Sequence, residues 1–220
     1  MRPETSAQYA PSPLVAILFR ILNAIHCGAI LLDENKRIVH LNHSAQPYFR
    51  EALLTNRGRL CATDRGCDAL FQTILDQSLK SGERQGDWRQ EALGLKRDDK
   101  GPVIARVVST GGKAADVLDG AALVVLLVDP EDGPTVSYAL VQQVFGLTRG
   151  EARLANQLLC GLSLQEIAET DGRSVATVRS HTKAVLAKTR THRQAQLVGL
   201  LARLAMISDN DTEARATMMR

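Results

Sequence analysis

The sequence predicts an α+β domain built on an antiparallel sheet, followed by an all-α domain, within 220 residues. Three observations carry this. Short β-prone runs joined by turn-like segments occupy the first part of the chain, with helical stretches set among them. From about Ser137 onward apolar residues recur only at helical spacing. Charge divides at the same place: residues 1–134 hold 16 Lys/Arg and 17 Asp/Glu, net −1, whereas 135–220 hold 11 and 7, net +4.

Residues 1–13, with Pro3, Pro11 and Pro13, read as a flexible arm. Leu14, Ile17, Leu18, Ile21, Leu22 and Ile25 then form the apolar stripe of a short helix that needs something to pack on. Ala29–Leu32 and Ile38–Leu41 flank Asp33-Glu34-Asn35-Lys36, a connection of hairpin length. His43 to Leu54 reads as helical, and Asp64 caps a helix through Leu70, Ile74 and Leu79. Ala92–Leu95 and Val103–Val108 surround the turn-like Asp98-Asp99-Lys100-Gly101, and Ala121–Val128 is a last strand before Pro130. Strands at both ends with helices between suit an antiparallel α+β sheet better than a strict βαβ alternation.

Composition removes several classes of function. The longest apolar run, Ala121 to Val128, has eight residues, well short of the roughly 18 to 20 that cross a bilayer, so no membrane association is expected. Leu14–Phe19 is too short for a secretory core and is broken by Arg20, which predicts a cytoplasmic protein. Cys27, Cys61, Cys67 and Cys160 are scattered, with no metal-ligand spacing, and only Arg59 and Arg65 stand near a thiol that could act as a redox switch. An enzyme would have to draw on His26, Cys27, Asp33 and their neighbours without a GxSxG, P-loop or metal motif, so none is expected. With eight aromatic residues in all, the chain lacks the stacking platform of single-strand binders; a nucleic-acid partner would be duplex DNA.

The basic half carries the chemistry. Thr148-x-x-Glu151, Ser163-x-x-Glu166 and Thr191-x-x-Gln194 are capping boxes that mark helix starts. Gly161 follows the apolar set Ala152, Ala155, Leu158 and Leu159 as a helix end, Asp171-Gly172 ends the next helix, and Ser174 caps a third. Two short helices joined by a Gly-containing turn, the second of them basic, form a helix-turn-helix. On that second helix Val178, Thr182, Val185, Leu186 and Thr189 share one face, while Ala176, Arg179, Ser180, Lys183 and Ala187 share the other. Small residues flanking two cations let a helix approach the major groove, although a merely solvated face has the same composition. In the last helix Leu197, Val198, Leu200, Leu201, Ala202, Leu204 and Ala205 cover more than one core contact requires. The surplus predicts a dimer contact through Leu197, Leu201 and Leu204, the alternative being a helix packed between two domains.

Gly28-Ala-Ile-Leu-Leu-Asp33, Arg37-Ile-Val-His-Leu-Asn42 and the late block of three strands resemble a PAS-like domain. Leu147-Thr-Arg-Gly-Glu151-Ala, Gly161-Leu-Ser-Leu-Gln-Glu-Ile-Ala168, Ser174-Val-Ala-Thr-Val-Arg-Ser-His181, Lys188-Thr, Arg193-Gln-Ala and Val198 resemble the LuxR-type helix-turn-helix of bacterial transcription regulators. Together they imply an α+β PAS-like N-terminal domain over 14–129, a linker over 130–136, an all-α four-helix helix-turn-helix domain over 137–207 and a disordered tail over 208–220. The second resemblance implies that Arg179, Ser180 and Lys183 read bases in double-stranded DNA while Ser163, Thr177, Lys188 and Arg193 approach its backbone. The chain departs from that pattern at Asp171 and Arg173, where the family carries apolar residues, and at Arg190, where it carries Gly.

A PAS-like domain implies a sensor of a small ligand or a dimerisation module, and no cofactor is specified. His26, His40 and His43 are isolated and make poor haem ligands. No receiver-type acidic cluster precedes the linker, and Trp88 is the only tryptophan, unlike the aromatic pocket of acyl-homoserine-lactone receptors. The expected function is a homodimeric transcriptional regulator; the alternative is an adaptor that tethers another protein to DNA.

Overall fold

A computed structural model describes residues 10–81, 91–111, 115–131 and 136–205. They form two compact units, Met1–Asp132 and Gly133–Arg220, each with its own apolar core. The expected tail at 208–220, most of the arm and most of the linker lie outside the described residues. No described helix is long and apolar enough to cross a membrane.

In the first unit helix α1 (Pro13–Ala24) precedes strands β1 (Gly28–Leu32) and β2 (Ile38–Leu41). A 3-10 segment (His43–Tyr48) leads to β3 (Leu53–Asn56) and β4 (Arg59–Ala62), and then to α2 (Arg65–Ser81). β5 (Glu91–Leu95), β6 (Val103–Ser109) and β7 (Leu123–Val128) complete it. Five strands pair antiparallel in the order β2-β1-β7-β6-β5, so the last strand lies between the first and the sixth.

The β1–β2 hairpin turns where Asp33 accepts the N–H groups of Asn35 and Arg37, both at 2.8 Å, and Lys36 takes a positive φ of 63°. Every residue of β1 is buried, because Ile30 and Leu32 face the main core while Ala29 and Leu31 face α1. That explains its unbroken apolar run. Asn42, 2% exposed, stitches this corner: its Oδ1 accepts from Ala29 and Ala45, and its Nδ2 donates to the Cys27 carbonyl.

Two expectations fail here. His43–Leu54 is not one helix: it is a short 3-10 segment followed by β3, which pairs with β4 through a two-residue Arg57-Gly58 loop. Both loop residues have positive φ, 51° and 79°, the geometry that matches the twist of a tight hairpin. The signal was the Gly after a four-residue β-prone run. The α1 stripe is also misassigned. Val15 and Phe19 are the residues buried against the sheet, whereas Leu14, Ile17, Ile21 and Ile25 are exposed. The helix carries apolar residues on two faces, and the less conspicuous one packs. Its start is fixed by Ser12, whose hydroxyl accepts from Val15 N–H and whose own N–H donates to Asp119; Asp119 also meets His40 Nε2 at 3.0 Å.

The second unit contains α3 (Tyr138–Phe145), α4 (Arg149–Leu159), α5 (Leu164–Asp171), α6 (Val175–Lys188) and α7 (Gln194–Ala205). The four expected helices are α4 to α7, with α3 added before them. α4 is the scaffold, with seven of its eleven residues buried. Asn156, 1% exposed, grips the chain ahead of α3: its Oδ1 accepts from Val136 N–H and its Nδ2 donates to the Val136 carbonyl, both at 2.8 Å.

Candidate nucleic-acid interface

The elements that present α6 are closed by local chemistry at nearly every end. Thr148 and Glu151 form a reciprocal capping box on α4, and Ser163 and Glu166 do so on α5. α5 stops where Gly172 adopts φ 62° and Arg173 N–H reaches back to the Ala168 carbonyl at 2.9 Å, a wrap in which a left-handed Gly satisfies terminal carbonyls. Three residues later α6 starts under Ser174, whose Oγ accepts from Thr177 N–H at 3.1 Å. The short turn fixes the direction in which α6 leaves α5.

The two faces of α6 divide as their spacing requires. Val178, Thr182 and Val185 are buried in the helix and Thr189 at its cap, and the threonine hydroxyls donate to the Val178 and Val185 carbonyls at 2.8 Å, which removes the cost of burying them. Opposite, Ala176, Arg179, Ser180, Lys183 and Ala187 are all exposed. Among the described residues Arg179, Lys183 and Arg193 have no ion-pair partner. The result is a shallow strip with two uncommitted cations, one helical turn apart, standing above small side chains.

The other site residues are placed as follows. Ser163 and Thr177 are exposed at the starts of α5 and α6. The Ser163 N–H is taken by Glu166 and its Oγ accepts from Glu166 N–H, which leaves its hydroxyl proton for an outside acceptor. Arg193 is exposed immediately before α7, and its carbonyl accepts from Leu197 N–H. The third capping box does not form: α7 begins at Gln194 rather than after Thr191, the Thr191 hydroxyl pairs with that of Thr189, and Gln196 accepts from His192 N–H.

Lys188 is engaged within the unit. Its ammonium lies 2.6 Å from Glu151 Oε2 and 3.2 Å from the Gly146 carbonyl, tying the end of α6 to the start of α4. Burial alone would raise the Glu151 carboxyl, but Lys188 and the Thr148 backbone and hydroxyl hold it below the ordinary carboxylate range. A depressed folded-state value stabilises the unit above the unfolded value near 4.5 and loses that contribution as the pH falls through the folded value. With Lys188 37% exposed the pair is screened, so Glu151→Gln is expected to cost about 0.5–1 kcal/mol at neutral pH. Urea midpoints of the two proteins should converge as the pH drops below 4.5.

The departures from the expected pattern acquire physical readings. Asp171, 13% exposed, accepts from Arg153 Nη2 at 2.8 Å and Gln157 Nε2 at 3.1 Å, so the α5 end is anchored to α4 by a polar contact instead of an apolar one. Arg173 meets His181 Nδ1 at 3.3 Å on the surface. Arg190 holds φ 54° at the end of α6, with Thr191 N–H bonded to the Leu186 carbonyl. Because a side chain is strained there, Arg190→Gly should stabilise the unit by about 1 kcal/mol, read as a higher denaturation midpoint.

The apolar girth of α7 needs a correction. Leu197 and Leu201 are 0% and 1% exposed within a single chain, because this row packs against the unit's own core. They are not available to a partner. Leu204 is half-buried and also packs against that core, while Gly199 and Leu200, half-buried too, lie off this row.

The fold and this face define a two-domain molecule in which an antiparallel α+β unit precedes a helix-turn-helix unit. No protein-family model matches the chain, and no curated protein matches it. Among solved structures it is similar over most of its length to VqmA, a LuxR-type receptor. The ligand–DNA complex of Vibrio cholerae VqmA shares 20% identity, over 84% of this chain and 85% of that one, at a TM-score of 0.31. The complex of phage VqmA with DPO shares 17%, over 89% of each chain, at 0.34. The Vibrio cholerae VqmA dimer without target DNA shares 20%, over 82% and 87%, at 0.31. At that level the likeness is one of fold alone.

Proposed function

We propose that this chain is a sequence-specific double-stranded DNA-binding transcriptional regulator, with Arg179, Ser180 and Lys183 reading base edges and Ser163, Thr177 and Arg193 approaching the backbone. The observation that carries the reading is the exposed strip on α6. Two cations without ion-pair partners among the described residues stand between alanines and a serine, on a helix whose other face is locked into the unit. Arginine and lysine can reach guanine N7 and O6 in the major groove, and small neighbours allow the approach. Lys188 contributes to the backbone set only by exchanging its bond to Glu151 for a phosphate.

Such short recognition helices gain specificity from paired half-sites, so the protein acts as a homodimer. On α7 the contact would involve Leu200, since Leu197, Leu201 and Leu204 pack against the unit's own core. The α+β unit biases DNA binding through ligand occupancy or dimer geometry, and this is a binding protein rather than an enzyme.

The test is selection of duplex sequences by the full-length protein, followed by binding at several salt concentrations. A recurrent motif with two half-sites about one helical turn apart, and affinity falling steeply with salt, is the expected outcome. Recovery of no motif, with binding to random duplex as strong as to any selected one, would sink the reading.

A further inference from the structure

The turn ahead of α6 holds a contact that the base-reading strip does not use. Arg173, exposed in that turn, meets half-buried His181 through Nη1 and Nδ1 at 3.3 Å, and no carboxylate pairs with Arg173 among the described residues. The chemistry of the two groups fixes the direction of the bond. A guanidinium carries five N–H donors, has no acceptor and keeps its proton. Nδ1 therefore accepts, the imidazole is neutral in this contact, and its one proton sits on Nε2. Among the described residues nothing takes a hydrogen bond from Nε2. His181 stands four residues after Thr177 and seven before Lys188, a spacing that lines the three along one side of α6. Its two neighbours in the row are partly spent: the Thr177 hydroxyl lies 2.8 Å from that of Ser174, and the Lys188 ammonium is bonded to Glu151. The Nε2–H between them is not.

We infer that His181 donates its Nε2–H to a phosphate oxygen of the duplex, and that Arg173 is the positioning residue that holds the imidazole in the tautomer able to do so. The inference rests on the DNA-binding reading and adds a contact to it. Wherever an imidazole is aimed at a fixed acceptor, the hydrogen bond made by one ring nitrogen decides which nitrogen carries the proton and how the ring is turned. Arg173 stands where the helix-turn-helix resemblance implies an apolar residue, and an apolar side chain can pack against a ring but cannot choose its tautomer. A neutral donor also differs in kind from a cation on the same row. It displaces no counterion from the duplex, so it strengthens binding to every sequence without adding to the salt slope.

Two measurements on the full-length chain test it. Without DNA, the imidazole nitrogen shifts of isotope-labelled protein are read at about pH 8, where an imidazole is ordinarily neutral. They should show the His181 proton on Nε2 and an accepting Nδ1, and Arg173→Leu should move the Nδ1 signal. With a selected duplex, His181→Ala should lower affinity about 10-fold for all sequences, at an unchanged salt slope and with unchanged circular dichroism. His181→Gln, whose amide keeps a donor at similar reach, should recover most of the loss. Arg173→Leu should cost about 3-fold by itself and nothing further in the His181→Ala background. A His181 proton on Nδ1, or shifts that Arg173→Leu leaves in place, overturns the inference. So does a His181→Ala protein that binds like the wild type. Additive losses, with Arg173→Leu lowering the salt slope by about one, overturn it as well and make Arg173 itself the phosphate contact. A wild type that binds no duplex overturns the DNA-binding reading and the phosphate contact together, whereas failure of the contact alone leaves selection of a motif intact.

Discussion

Arg179→Ala is expected to weaken binding to the preferred duplex by about 1–3 kcal/mol and to relax selection at one base position, because a bidentate arginine–guanine contact discriminates by that amount. The side chain is exposed and has no internal partner among the described residues, so the thermal midpoint of the free protein should not move. Lys188→Ala is the contrast. Removing it breaks the contact with Glu151, so it should lower stability slightly whether or not it also reduces the salt slope by about one unit through a lost phosphate. The two variants are thus separable in both assays. If Arg179→Ala leaves the selected motif unchanged while Lys188→Ala alters it, α6 meets DNA by another face.

Asn156→Ala should produce the largest loss of stability in the helical unit. Its amide makes two bonds to one buried residue, satisfying both the N–H and the carbonyl of Val136. Truncation leaves two peptide groups without partners beside a core residue that is itself 1% exposed, and a cost of about 2–4 kcal/mol follows. Urea denaturation followed at 222 nm is the measurement. Asn156→Asp keeps the acceptor for Val136 N–H but loses the donor, and should fall between the wild type and the alanine variant.

What could be read from the residues alone were features set by local rules. The five strands of the large sheet, the capping boxes at Thr148 and Ser163, the Gly172 stop and both faces of α6 each follow from periodicity or from a hydroxyl and acid at fixed spacing. The misses share a cause. Leu14, Ile17 and Ile21 outweigh Val15 and Phe19 in any helical projection, yet the choice of buried face was made by β1 and β7, which are distant in sequence. Leu197 and Leu201 were hidden by α4 in the same way, and the Lys188–Glu151 contact spans 37 positions. The polar partners of Asp171 had a faint sign in advance, since Arg153 and Gln157 stand one turn apart on α4, among the apolar set Ala152, Ala155, Leu158 and Leu159.

The position of β7 has a consequence for how the first unit comes into being. The strand at the middle of the sheet is the last one synthesised, and Gly28 pairs with Leu127 across nearly the whole unit. Until residues 123–128 leave the ribosome, β1 and β6 have nothing to join them, and their apolar faces stay open to other chains. Such long-range pairing folds more slowly than the local helices that follow it. A chain cut short at residue 122 would therefore lose the seam of its sheet rather than an edge, and should collect as aggregate instead of as a smaller folded domain.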